Sequence, residues 1–321
     1  MADGQRREAP GSATTGSETP GSETPAAADL GRHMAEELTS QPDTWQRAAV
    51  LDERALLPAR GQRIAVVGCG TSWFMAQAYA ALRESRGQGV TDAYAASEAY
   101  LDRDYDAIVA ITRSGTTTEV LELLDTWRGR IRTIGIVGNP DTPLVGLVDD
   151  AIRLPFADEQ SVVQTRFATT ALALLRSSLG EDLTHVIEDA RTAVTQQLDA
   201  VLLDAGQYTF LGSGFSIGVA NEAALKMREA SQSWTESYPA KEYRHGPISI
   251  AAPGRVTWAF GQPPNGLAGE VEATGAHFEN SPLDPMADLI RAQRVALERA
   301  RRAGLNPDAP RNLTRSVILE S

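Results

Sequence analysis

The sequence predicts an α/β fold made of two related units, each a parallel sheet flanked by helices, the second unit shortened. Three observations carry this. Short apolar, β-branched runs alternate with helical stretches along most of the 321 residues, which is the pattern of a parallel sheet covered on both faces. Two strand-to-helix junctions, Gly68–Ser72 and Gly212–Ser216, each read Gly-x-Gly-x-Ser. A single shift of 144 positions aligns them: Gly68 falls on Gly212, Gly70 on Gly214, Ser72 on Ser216, Ala76 on Ala220 and Ala80 on Ala224. A strand–Gly-x-Gly–helix unit resembles any other such unit; the repeated serine favours duplication.

The elements follow in order. HMAEELTSQPDTWQRAA, from His33, reads as a helix, a Gln-Pro break and a second helix start. IAVVG (64–68) is a buried strand, and WFMAQAYAALRE continues from the GCGTS turn as a helix. DAIVAIT (106–112) is a strand followed by the helix VLELLDTW; RTIGIVG (132–138) and DAIRLPF (150–156) are strands; QTRFATTALALLRSSLG starts a long helix. The pattern restarts at YTFLGSGFS (208–216), continues as the helix IGVANEAALKMREASQSW, and adds a strand at VTWAF (256–260) and a helix in LIRAQRVALERARRAG. The expected organisation is a disordered tail (1–30), N-terminal helices with the first unit (31–190), the second unit (191–305) and a C-terminal tail closing the site (306–321).

Composition narrows the function. Forty-two acidic against 30 basic residues, a formal charge of −12, argues against nucleic acid as partner. No apolar run is long enough to span a bilayer. Residues 1–30, with GSETP twice in tandem, lack the apolar core of a secretory signal and the apolar surface needed to fold. The single cysteine, Cys69, excludes a disulfide framework and a cysteine-cluster metal site. A cytoplasmic location is the expectation, with neither metal nor cofactor. Only two of the 30 basic residues are lysines, Lys226 and Lys241, so an amine nucleophile has two candidates.

Four stretches carry chemistry. GCGTS (68–72) lets backbone approach a ligand and offers helix N–H groups and two hydroxyls, Thr71 and Ser72, to an anion. Trp73 stands where a dinucleotide fingerprint needs its third glycine, which excludes that reading; a turn serving packing alone is the competing one. TRSGTTTE (112–119) holds five hydroxyl residues in seven positions. A helix cap needs one, and Glu119 could complete a capping box, so the surplus points to an anionic oxygen. In NEAALKMRE (221–229), Glu222, Lys226 and Glu229 share one helix face; this is also the spacing of an ordinary surface ion pair, beside the reading of Glu229 as a base near a cation. YPAKEYRHGP (238–247) places His245 next to a Gly-Pro turn, a candidate acid or base that His33, His185 and His277 do not match.

Together with SVVQTRFATT (161–170) and PRNLTRSVILE (310–320), these stretches in this order resemble the sugar isomerase (SIS) domain family, in particular the isomerase half of the glucosamine-6-phosphate synthases. The likeness runs from His33 to Glu320. The resemblance implies a fold of two parallel α/β units and a sugar 6-phosphate ligand. It implies that Ser72, Thr112, Ser114 and Thr117 hold the phosphate, with Thr71 beside them, and that Gln164 contacts the sugar. It implies that Glu229 moves the proton between C1 and C2, that Lys226 stands beside it, and that His245 opens the ring. In that family the histidine reaches the neighbouring subunit's site, which implies a homodimer.

The departures alter the expected chemistry. The glutaminase half of such synthases, with its N-terminal cysteine, has no counterpart. Arg315 stands where the family has the lysine that forms a Schiff base, and arginine stays protonated. The stretch between His245 and Pro310 is shorter. Arg113 replaces a neutral amide and adds a charge expected to favour phosphate. Proton chemistry at C2 is what survives. The expectation is an amino-sugar 6-phosphate isomerase/deaminase. The alternatives are a dehydratase acting on N-acetylglucosamine 6-phosphate and a non-catalytic sugar-phosphate sensor, which would need neither Glu229 nor His245.

Overall fold

The computed structural model describes Met1 and residues 30–319. The tail expected to be disordered, apart from its two end residues, lies outside the described residues. Two short helices come first among the described residues, α1 (Arg32–Thr39) and α2 (Gln41–Ala49). The break falls at Ser40, just ahead of the Gln-Pro pair. Pro42 sits in the first turn of α2, where a missing N–H costs no helical hydrogen bond.

The first unit runs β1 (Ile64–Gly68), α3 (Thr71–Ser85), β2 (Thr91–Ala95), β3 (Ala107–Thr112), α4 (Thr118–Trp127), β4 (Arg132–Val137), α5 (Pro143–Leu147), β5 (Asp150–Arg153) and α6 (Arg166–Ser178). Helices α7 (Thr184–Thr195) and α8 (Ala200–Asp204) lead to the second unit. That unit runs β6 (Gln207–Gly212), α9 (Ser216–Ser231), β7 (Thr235–Pro239), β8 (Arg255–Ala259), α10 (Leu267–Glu272), β9 (His277–Asn280) and α11 (Pro285–Arg302). Strands β2, β7 and β9 are absent from the sequence reading. Among the described residues, no helix is long and apolar enough to cross a membrane.

Both sheets are parallel throughout. The first has five strands in the order β2-β1-β3-β4-β5, the second four in the order β7-β6-β8-β9. In each, the second strand in chain order pairs on one side of the first strand and the third on the other. Open parallel sheets leave a crevice at that reversal, outside the carboxyl ends of the strands. The repeat extends to register. Gly68 pairs with Ala95 in the first sheet and Gly212 with Pro239 in the second, each partner displaced by the same 144 positions.

Strand alternation divides the core. Ile64 and Val66 of β1 face one side and Ala65 and Val67 the other. The first side joins Tyr208 and Phe210 of β6 in one continuous core between the sheets, filled by α3, α6, α9 and α11. Val120 and Leu124 of α4 and Leu144 of α5 cover the outer face of the first sheet. Leu267 and Val271 of α10 cover Leu211 and Ala259 on the outer face of the second.

Helices α3 and α9 meet at matching positions of the repeat. The Asn221 amide donates to Gln77 Oε1 at 2.7 Å, across 144 residues. Gly218 faces Phe74, its own counterpart. A Cβ there would lie 2.4 Å from the Phe74 carbonyl oxygen, so only glycine allows the two helix N-termini to approach this closely.

Gly218→Ala is expected to destabilise the fold by about 1–3 kcal/mol through overpacking. Gly146→Ala, where a Cβ would meet open space, should change stability by no more than about 0.5 kcal/mol. Urea unfolding midpoints compare the two, and equal effects would contradict the close helix contact.

Candidate functional site

The crevice at the carboxyl ends of β1 and β3 is closed into a cavity of about 190 Å³. Five chain segments meet there. The turn after β1 brings Cys69, Gly70 and Thr71; the loop after β3 brings Arg113 and Thr117; α9 brings Lys226 and Glu229; and the stretch before α6 brings Gln164. The fifth is the C-terminal tail, Leu313–Val317, with Arg315 among its residues. A larger hollow of about 520 Å³, lined by Gly206, Trp234 and Arg255 among others, gathers no comparable set.

The centre of the site is an ion cluster on one face of α9. Lys226 is fully buried, its ammonium in direct contact with a carboxylate oxygen of Glu229 and 3.6 Å from Oε1 of Glu222. Glu222 is also fully buried, and neither of its oxygens has a hydrogen-bond partner. Burial pushes its carboxyl up to about 8, against the opposing pull of Lys226. Burial works against the Lys226 ammonium as well, but Glu222 and Glu229 outweigh it and raise its pKa. Near neutral pH, then, Glu222 holds its proton, and the charged pair is Lys226 with Glu229, whose carboxylate is the one that lines the cavity. The sequence put Glu222 on this face but gave it no role. Its spacing was legible; its burial was not.

The hydroxyl loop is arranged otherwise than a capping box requires. Thr117 occupies the N-cap position of α4 without capping it. Its hydroxyl turns instead toward Ser316 of the tail, at 3.4 Å, where Ser114 Oγ at 3.1 Å and Thr116 Oγ1 at 3.0 Å also converge. Thr112 is buried one step behind, its hydroxyl accepting from the Gly115 amide at 3.2 Å. Gly115 has φ +63°, and a Cβ there would lie 2.1 Å from Thr142 Oγ1, so the turn requires glycine. Ser72 is buried beneath the β1–α3 turn and does not line the cavity.

Arg113 departs from its expected use. Its guanidinium is buried and spent on carbonyl oxygens: Nη1 donates to Ser161 at 2.8 Å and Nη2 to Arg315 at 2.8 Å. Behind it lie the buried carboxylates of Glu159 and Glu37. Glu159 Oε1 accepts from the amides of Thr165 and Arg166, each at 2.6 Å, and Glu37 from that of Gln160 at 2.5 Å. Burial, together with the charge of Glu159, raises the Glu37 carboxyl to about 7. Arg315 pairs with Asp158 at 2.5 Å. Gln164 lines the cavity with a buried Oε1 that has no partner, an acceptor left open to a ligand hydroxyl. Burial, with the charge of Glu119, pushes the Cys69 thiol to about 11, which leaves it un-ionised at neutral pH.

His245 is not gathered in. It lies exposed at the end of a short helical turn, outside the residues that line the cavity. Lys241 is likewise exposed. Thus Thr71, Arg113, Thr117, Gln164, Lys226, Glu229 and Arg315 come together, Ser114 touches the tail residue that closes the cavity, and Ser72, Thr112 and His245 stand apart from its lining.

The crevice at the strand reversal, bounded by a hydroxyl loop and an acid–ammonium pair, belongs to an α/β protein of two parallel sheets. Residues 57–177 match the family model of the SIS domain. Similar curated proteins include the glutamine–fructose-6-phosphate aminotransferases (isomerizing) of a Nostoc species and of Aeropyrum pernix. Both are 29% identical, covering 81% and 89% of this chain and 52% and 57% of their own. The chain spans about half the length of the curated relatives it matches. Similar solved structures include the glucosamine-6-phosphate deaminase of Thermotoga maritima (TM-score 0.77, 24% identity, 88% of this chain and 99% of that one). Another is the C-terminal domain of the glucosamine-fructose-6-phosphate aminotransferase of Francisella tularensis (TM-score 0.75, 22% identity, 87% and 98%). At these identities the structures speak for the fold.

Three buried carboxyls hold protons in the folded state that the unfolded chain releases: Asp288, raised by burial to about 6, Glu37 at about 7 and Glu222 at about 8. A raised carboxyl pKa means the native state binds more protons, so stability falls as pH rises through the window. Between pH 7 and 8, Glu222 is the main one of the three still titrating, while Glu37 completes its own proton release. Urea unfolding over that interval should show wild-type stability falling by up to about 1.4 kcal/mol per pH unit. Glu222→Gln should lose most of that slope and keep the smaller part due to Glu37, and an equal slope in both proteins would rule out Glu222 as its main source.

Proposed function

We propose that the protein is an amino-sugar 6-phosphate isomerase/deaminase that works by abstracting the proton at C2, without glutamine-dependent amination. One observation carries the reading: the Glu229 carboxylate, held by the buried Lys226 ammonium, opens into the same small cavity as the hydroxyl loop after β3. The activities in the names of similar proteins, deaminase, aminotransferase and ketose/aldose isomerase, all concern phosphorylated sugars and support the same class.

The chemistry follows from this geometry. The hydroxyls of Ser114, Thr116 and Thr117 and the N-terminus of α4 take the 6-phosphate, which is anionic and suited to N–H and O–H donors. With the sugar in its open aldehyde form, the C2 proton is acidified by the carbonyl at C1. Glu229 removes it, and the electron pair moves through C1–C2 to the carbonyl oxygen. Returning the proton to C1 gives the ketose from an aldose. When C2 carries an amine, the same return gives an imine at C2. Water adds to that imine and ammonia leaves, so glucosamine 6-phosphate plus water becomes fructose 6-phosphate plus ammonia. Lys226 pairs with Glu229 at the cavity, and its positive charge suits the negative charge that develops on the enediolate oxygen. No lysine stands at position 315, so the reading includes no Schiff base with the ketose.

His245 enters this reading from a second copy of the chain. Its exposure in the 242–245 turn is what a residue offered to a neighbouring site requires. A homodimer in which His245 supplies the ring-opening acid or base completes the set.

The test is incubation with glucosamine 6-phosphate and with N-acetylglucosamine 6-phosphate in D₂O, following C2 by NMR. Ammonia and a ketose from the first are expected. An unsaturated sugar from the second would instead establish the dehydratase, and no exchange with either would overturn the enzyme reading. Glu229→Gln should lower turnover by roughly 10²- to 10⁴-fold, the usual contribution of a general base, while phosphate binding is kept.

A further inference from the structure

We propose that the hydroxyl of Ser316 is the chain's own stand-in for a phosphate oxygen, so that the docked tail and an anion in the hydroxyl loop exclude one another. The inference rests on the reading of that loop as a phosphate cradle and adds to it a residue and a regulation.

The geometry of the tail carries it. After α11 the chain turns back and is pinned near α1. Asp308 accepts from the amides of His33 and Met34, each at 2.9 Å, so it caps that helix. Pro307 and Asp308 carbonyls accept from Val163 and Val162. From this anchor, residues 311–319 lie across the site. The Val317 carbonyl accepts from the Thr118 amide at 3.2 Å, and the Leu319 amide donates to Thr118 Oγ1 at 2.9 Å. One of the first N–H groups of α4, a donor an anion would use, is therefore already taken.

Ser316 completes the occupation. Three loop hydroxyls surround its Oγ at 3.0–3.4 Å, which is the environment an anionic oxygen would have there. A second oxygen cannot share that position. Arg113 is committed in the same state, since its Nη2 donates to the Arg315 carbonyl. Lifting the tail would free three hydroxyls, the Thr118 amide and one guanidinium N–H together. It would also open space. Leu313 separates the inner cavity from an outer one of about 330 Å³, and Glu229 lines both. The inner cavity alone, about 190 Å³, falls below the roughly 300–1,000 Å³ of typical small-molecule sites.

The only side-chain ion pair holding residues 313–319 among the described residues is Arg315–Asp158, about one-third exposed on both sides. Water and salt can compete for such a pair. The tail is thus fastened by groups that yield readily, over a site whose strongest donors it occupies.

The test uses the full chain and two ligands, inorganic phosphate and glucosamine 6-phosphate, with binding measured by calorimetry and the tail followed by amide hydrogen exchange. Ser316→Ala should bind both ligands roughly 2- to 10-fold more tightly, the worth of one net hydrogen bond released from competition. In the wild type, either ligand should speed exchange at the Leu319 amide. Weaker binding by Ser316→Ala, or a tail more protected with ligand bound, would make Ser316 a ligand of the phosphate and overturn the exclusion. Unchanged binding with unchanged exchange would also overturn it and leave the cradle intact. Absence of phosphate binding in both proteins would remove the cradle reading and the inference with it.

Discussion

A lysine ammonium with no contact with water must be neutralised by groups already inside the protein, and much of this site follows from how Lys226 meets that demand. A buried, unpaired charge is among the costliest features a fold can hold. Two carboxylates lie within reach, four residues before and three after on the same helix. If both were ionised, the cluster would carry a net negative charge in the interior. Burial resolves this by holding Glu222 protonated, which leaves Lys226 and Glu229 as a neutral pair. The consequence is directional. The protonated acid lies deepest, the ammonium in the middle, and the ionised carboxylate at the cavity. One α-helical face thereby sorts three titratable groups by depth and places a charged carboxylate where a C–H bond can reach it.

That face reaches the crevice only because α9 packs against α3. The contact lies between equivalent positions of the repeat, Gln77 with Asn221 and Phe74 with Gly218, so the two units are related about this helix pair. The first unit supplies the strand reversal, the glycine turn and the hydroxyl loop. The second supplies the ion cluster through its own equivalent of α3. Neither unit holds a complete site. In the second unit, the hydroxyl matching Ser72 belongs to Ser216, and it is consumed locally by the carbonyls of Ser213 and Phe260. This is why one cavity with mixed chemistry forms, and not two alike.

Much of this was legible in the residues, and the misses share a cause. The central strands β1, β3, β4, β6 and β8 are buried along nearly all their length. Their apolar runs therefore show in the sequence. Strands β2, β7 and β9, reading TDAYA, TESYP and HFEN, are edges, at most one residue of each buried. Unlike the edge strand β5, whose Ala151-Ile152 runs on into Leu154 and Phe156, these three have no apolar run to display, and only pairing with β1, β6 or β8 reveals them. At the site, spacing disclosed the Glu222–Lys226–Glu229 face, and hydroxyl density disclosed the loop after β3. What spacing could not disclose was depth and direction: that Glu222 is sealed, that Thr117 declines its capping role, and that Arg113, though at the cavity, gives its terminal nitrogens to backbone carbonyls.

The arginine bias of the chain acquires its physical meaning at these last positions. An ammonium donates in any direction from a point, whereas a guanidinium offers several donors in a fixed plane. Arg113 uses that plane to bind two carbonyls on different segments, Ser161 before α6 and Arg315 in the tail. Arg315 uses its side chain to reach Asp158. Two arginines therefore join the hydroxyl loop, the 158–162 segment and the C-terminal tail, a task for which lysine has the wrong geometry. At position 226 the requirement is reversed. There the cation must fit between Glu222 and Glu229 in a sealed space beside α3, and a compact ammonium pairs with Glu229 without a plane of further donors to be left unpaired. The one buried lysine of this chain and its two bridging arginines are placed by the same rule, the number and direction of acceptors each cation has to meet.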